Sequence, residues 1–172
     1  MLLLDRHGPL DDAWERAEYV CQAETKQVLA PFAAIVGSDA ITDDMKIGAL
    51  LEPERTVAEV APFFDRLDLI VIHFPSSANG RGFSMARQLR QAGYKGRLRA
   101  FGALIADQFP QALACGFDEV EVIGAAAARQ PAEIWMAALN RISLGYQRGY
   151  GTESSIVERR LLAGAAQGAA NV

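Results

Sequence analysis

The residues best equipped for chemistry stand in one stretch, His73-Phe74-Pro75-Ser76-Ser77-Ala78-Asn79-Gly80-Arg81-Gly82-Phe83-Ser84. It follows the most continuous apolar run of the chain and leads into a helical pattern. The imidazole of His73 changes charge near neutral pH and can serve as an acid or a base. Arg81 stands between two glycines and offers a planar fork of donors that matches sulfate, phosphate or carboxylate. A helix starting there adds unpaired N–H groups and the positive end of its dipole. Asn79, Gly80, Arg81, Gly82 and Ser84 are therefore candidate ligand contacts. Asp107 and Gln108 follow a later strand and can reach the same edge, Asp107 as a catalytic candidate beside His73 and Gln108 as a further contact. Blander readings stay open. The loop is also a tight Asn-Gly turn whose glycines merely free the backbone, and Asp107 also suits a helix start.

Several reaction classes lack their residues. Gly80-Arg81-Gly82 is followed by Phe83-Ser84-Met85, so the dinucleotide fingerprint misses its third glycine, and no G-x-x-x-x-G-K-[ST] phosphate loop occurs. No serine sits in G-x-S-x-G. The two histidines, His7 and His73, do not have metal-ligand spacing, and Cys21 and Cys115 form no C-x-x-C pair. Neither a metal nor a resident cofactor is expected, and redox chemistry would need one.

Charge is unevenly spread. Residues 1–68 carry six basic and fourteen acidic side chains, whereas residues 69–106 carry Arg81, Arg87, Arg90, Lys95, Arg97 and Arg99 and no acid. Such a segment can focus field on an anion or an acidic partner, unless acids elsewhere in the fold neutralise it. Arg87 and Arg90, three apart on a helix, should both face solvent. Nucleic acid is not expected as a partner, because the whole chain is acidic at −4 and has no aromatic-basic module.

The elements that must hold these residues alternate. Apolar runs at 33–36, 47–51, 69–74, 97–101 and 119–123 read as strands, and the unbroken run at 69–74 suits a strand covered on both faces. Helical patterns cover 56–66, 82–92, 105–114 and 131–143. Thr56 and Glu59 have capping-box spacing, Gly93 and Gly116 stand at helix ends, and Pro110 must lie in a first turn. Repeated βα units imply an α/β fold with a mainly parallel sheet of about five strands in three layers, a partial β/α barrel being the alternative. Residues 1–148 read as one domain with a polar helical lead-in over 1–30, and 149–172 as a flexible or short helical tail.

These same pieces carry a resemblance. His73-Phe74-Pro75, Asn79 to Ser84, Gly93-Tyr94-Lys95-Gly96-Arg97-Leu98-Arg99-Ala100 and Cys115-Gly116-Phe117-Asp118 follow one another as in the bacterial domain-of-unknown-function family 934, which the chain resembles from about Leu50 to Tyr146. The family is labelled as oxidoreductases of sulfite reduction. The resemblance thus implies a role in sulfur assimilation, with sulfite reductase or another enzyme of that pathway as partner. Where family members usually carry an acid, this chain has His73, Asn79 and Ala103, while Asp107 and Gln108 match. A catalytic member and a divergent, inactive one both fit. So do a cofactor-independent small-molecule enzyme at the sheet edge and a non-catalytic interaction module.

Compartment follows from simpler features. Asp5 and Arg6 interrupt the apolar start, so no signal-peptide core forms, and no run approaches the ~20 apolar residues of a membrane span. A cytoplasmic protein without membrane contact is expected from its 172 residues, of which 51% are hydrophobic and 22% charged.

Overall fold

A computed structural model describes residues 1–52 and 54–141 of the chain. Short strands and one 3-10 turn, not an α-helix, are the regular structure of the lead-in. Strands β1 (Leu2–Asp5) and β2 (Gly8–Pro9) form an antiparallel hairpin. Its turn is fixed by the Asp5 carboxylate, which accepts the N–H groups of His7 and Gly8 at 2.7 and 3.1 Å. A short β3 (Glu15–Arg16) and a 3-10 turn at Val20–Gln22 follow.

Next come β4 (Gln27–Pro31) and α1 (Phe32–Val36). The strand expected at 33–36 is thus a helix, and the strand is the run just before it. Pro31 explains the shift: it has no N–H to continue a ladder, and its φ of −55° suits a helix entry. Phe32 and Ile35, three apart, are the buried pair.

The rest keeps closer to the periodicity. Strand β5 (Lys46–Leu51) leads to α2 (Val57–Val60), which tightens into a 3-10 helix over Ala61–Arg66 around Pro62. The capping box forms, with Thr56 N–H donating to Glu59 at 2.7 Å. Then follow β6 (Leu69–Phe74), α3 (Arg81–Gln91), β7 (Arg97–Gly102), a 3-10 turn over Ala106–Gln108, α4 (Phe109–Ala114), β8 (Glu119–Val122), α5 (Gly124–Arg129) and α6 (Ala132–Arg141). Gly93 and Gly116 take φ of +98° and +102° just past the ends of α3 and α4, and Pro110 lies in the first turn of α4. The end of the helix expected over 131–143 and the tail at 149–172 lie outside the described residues.

The sheet has eight strands rather than five, in the order β2-β1-β8-β7-β6-β5-β4-β3. From β3 to β8 every neighbouring pair is parallel and consecutive in sequence, and β1 closes one side antiparallel to β8. Consecutive parallel strands joined by crossovers of one hand collect their helices on one face. The large core accordingly unites one side of the sheet (Val28, Ile47, Ile70, Ile72, Leu98, Val120) with buried residues of α1, α2, α3, α4 and α6. The opposite side holds a separate cluster of Leu29, Leu69 and Val71 with Trp14, Leu50 and Phe101, none of them helical. The three-layer arrangement is therefore not found, and the partial β/α barrel describes the molecule. The sheet curls into a half-barrel, tightly enough that Arg16 on the β3 edge reaches Glu121 on β8 at 2.6 Å. Among the described residues, no helix is long and apolar enough to cross a membrane.

Candidate functional site

Parallel βα sheets present their functional loops beyond the carboxyl ends of the strands. Here that edge carries the loop after β6 and the loop after β7. Helix α3 begins at Arg81, and the Asn79 side-chain oxygen accepts the Arg81 N–H at 3.1 Å. Asn79 thus already satisfies one of the free N–H groups of the helix. Gln108 pins the loop from the other side, its amide donating to the Ser77 carbonyl at 2.7 Å while its oxygen accepts the Ile105 N–H at 3.2 Å. The two loops are stitched together by that one side chain.

The two glycines differ in role. A Cβ on Gly80 would meet open space, whereas one on Gly82 would lie 2.3 Å from the tip of the Phe74 ring. Gly82 lets α3 settle on β6, and Phe83 completes the contact with its ring centroid 5.0 Å from that of Phe74. Arg81 and Ser84 are exposed on the outer face of the helix. Asp107 is exposed in the first turn of its 3-10 helix. His73 is half-buried on the inner side of the curled sheet, its ring 5.5 Å from that of Phe101. No hydrogen bond joins His73 to Asp107 among the described residues.

The acid-free segment splits in two. Arg90 does not face solvent freely: it donates to the carbonyls of Gly116, Tyr94 and Gly96 at 2.8–3.0 Å and to Asp118 at 2.7 Å, tying the ends of α3 and α4 together. Arg97 pairs with Glu119. Arg99 is 1% exposed and reaches Asp12 at 2.9 and 3.0 Å, Glu119 at 2.7 Å and Glu121 at 2.9 Å. Acids from distant parts of the chain therefore neutralise these three. Arg81, Arg87 and Lys95 remain exposed, with no ion pair among the described residues.

The inner face is the part that sequence reasoning missed. Burial works against the charge of Arg99, but hydrogen bonds and attraction from Asp12 and Glu119 outweigh it and hold the guanidinium above its ordinary value. Burial also opposes the charge of Asp12, yet Arg99, bonded to it at both oxygens, keeps its carboxyl below the usual aspartate value. Arg16 lies over the Phe101 ring, 4.7 Å from its centroid, and bonds to the buried Glu121. A signal existed. Arg97-Leu98-Arg99 and Glu119-Val120-Glu121 alternate charge with apolarity on two neighbouring strands, which places opposite charges on one sheet face. Among the described residues, no three His, Cys, Asp or Glu side chains gather where they could hold a metal ion.

A family model described as a bacterial protein of unknown function, family 934, matches residues 48–157. That span takes in most of β5, all of β6 to β8 and the loop from 75 to 84, while Asp12, Trp14 and Arg16 lie ahead of it. No curated protein matches the chain.

Proposed function

The chain belongs to the bacterial domain-of-unknown-function family 934, and from that premise we propose that it is an accessory protein of assimilatory sulfite and sulfate reduction that binds an oxyanion at the loop 75–84. The resemblance drawn from the sequence supplies the pathway. One structural observation supports the anion: Arg81 stands exposed at the first position of an eleven-residue helix, at the carboxyl edge of a parallel sheet, with no ion pair among the described residues. The dipole end and the guanidinium favour the same ligand charge. Asn79 acts through the backbone by capping the helix, Gln108 holds the loop in place, and Ser84 adds a hydroxyl one turn on from Arg81. Sulfite reductase or another enzyme of the pathway is the proposed partner.

Calorimetric titration with sulfite, sulfate and phosphate tests this reading. Charge-assisted hydrogen bonds contribute about 1.5–3 kcal/mol, so Arg81→Ala should weaken binding about ten- to a hundredfold. Arg81→Lys should recover only part of it, because a point charge cannot reproduce the fork. Melting curves of both variants should overlay the wild type, since the side chain is exposed. Equal affinity in wild type and Arg81→Ala would remove the loop as the site.

A further inference from the structure

Two neighbouring helical segments carry opposite charge on their outer surface. Residues 52–68, which hold α2 and its 3-10 continuation, contain five acids and two bases, whereas residues 81–95, which hold α3, contain four bases and no acid. The segments follow consecutive strands, and α2 packs against α3 on the helix-covered face of the sheet. Phe64 marks the seam between them, half-buried with its ring 5.2 Å from that of Tyr94 just past α3.

Part of this charge is neutralised within the chain. Arg55 pairs with Glu59, and Arg90 with Asp118. Asp68 accepts the Ile47 N–H at 2.9 Å. The remainder is exposed: Glu52, Glu54 and Asp65 with one base, Arg66, on the first segment, and Arg81, Arg87 and Lys95 on the second. None of these seven side chains takes part in an ion pair among the described residues. An acidic ridge and a basic ridge thus lie side by side on one surface without satisfying each other.

We propose that this two-signed surface is a homodimer interface, occupied by a second copy of the chain. A uniformly acidic partner would be repelled by the α2 segment and a basic one by α3, whereas the surface is complementary to itself. A twofold axis running along the seam lays the α2 segment of the second copy over α3 of the first, and the same contact repeats on the other side of the axis. Such an axis keeps positions along the seam level. Asp65 and Lys95 each stand just before the next strand, so Asp65 of one copy comes opposite Lys95 of the other. Arg87, at mid-helix, meets the same acidic ridge. The contact needs neither Arg81 nor an anion, so it stands or falls separately from the loop at 75–84.

Sedimentation equilibrium of the intact chain at low and high salt tests this, together with two charge reversals at exposed positions, Lys95→Glu and Asp65→Lys. The expected result is a wild-type dimer that weakens as salt rises. Each variant alone sets like charges opposite each other twice, so its dimer should be at least about tenfold weaker than the wild type. An equimolar mixture of the two restores opposite charges at both contacts and should recover a heterodimer. Neither substitution touches Arg81, so anion titration of each variant still reads the loop by itself. A wild type that stays monomeric at low salt would overturn the proposal. Variants that dimerise as tightly as the wild type would do the same, as would a mixture of folded variants that stays monomeric. Should either variant fail to fold, the salt dependence of the wild type and the reversal Arg87→Glu decide.

Discussion

Asp12 shows how much one early residue can depend on a strand some ninety positions later. Its carboxylate bonds Arg99 through both oxygens, and the arginine has almost no access to water. Removing one partner from a buried charge costs far more than the pair gains over an apolar alternative. Glu119 and Glu121 still hold Arg99 in Asp12→Asn, so the loss should be about 1.5–3 kcal/mol at pH 7, the range for hydrogen bonds to charged groups. The sign of its pH dependence is fixed by the lowered carboxyl. Its stabilisation is fully present above the ordinary aspartate value of 3.8 and is lost as pH falls through the lower folded value. Urea unfolding of wild type and Asp12→Asn should therefore differ at pH 7 and converge in strong acid. A gap that widened on acidification would contradict the ion pair.

At the same scale, the two glycines of the loop can be separated. Gly82→Ala should destabilise by about 1–3 kcal/mol, because the methyl group would clash with the Phe74 ring and push α3 off the sheet. Gly80→Ala should stay within about 0.5 kcal/mol, since its side chain would meet open space at an ordinary φ of −80°. Thermal melts of both variants check this. Equal tolerance would mean that α3 does not rest on Phe74.

Among the elements, legibility followed the physics of each segment. The strands at 47–51 and 69–74 were readable because continuous apolarity between turn residues has few alternatives, those at 97–101 and 119–123 because apolar residues alternate there with charged ones, and all four lie parallel as expected. The N-terminal strands were not readable. Two of them are two residues long, too short for any period to show, and β4 runs straight into the apolar residues of α1, so that its own end does not show. The helix at 32–36 read as a strand because four apolar residues in a row carry no period, and only Pro31 before them could have tipped the choice. The loop at 75–84 and the helix it opens were legible from glycine, asparagine and proline. The inner network was not, since ion pairs 20 to 105 residues apart leave no local trace beyond the alternating charges on β7 and β8. Arg90 belongs with these: its spacing placed it on the solvent face, but its length carried it back to three carbonyls. Arg90→Ala should leave those carbonyls without the arginine's donors and Asp118 without its ion pair, and lower the melting temperature. Arg87→Ala, one turn away and exposed, should not.

For the whole molecule, the sequential strand order decides everything that follows. It puts the described helices outside and leaves an inner face that something must fill. The N-terminal segment fills it: Trp14 packs against Leu29 and closes on Gly48, whose Cβ would lie 3.1 Å from the indole, while Asp12 and Arg16 neutralise Arg99 and Glu121. The matched family span therefore lacks the segment that covers its inner face. A chain lacking residues 1–17 should bind the dye ANS and lose cooperative unfolding, and a sharp melt at the wild-type temperature would show that the inner face needs no cover.

The same architecture gathers the loops after β6 and β7 at one edge, where Arg81 points its charge outward from the start of α3. Diffraction from crystals soaked in selenate, an oxyanion whose selenium can be located by its anomalous signal, tests the proposed role of that edge most directly. A selenium peak within hydrogen-bonding reach of the Arg81 guanidinium, absent from Arg81→Ala crystals grown the same way, is the predicted result. An empty loop at saturating selenate, or a peak at Arg81 that survives loss of its side chain, would contradict it.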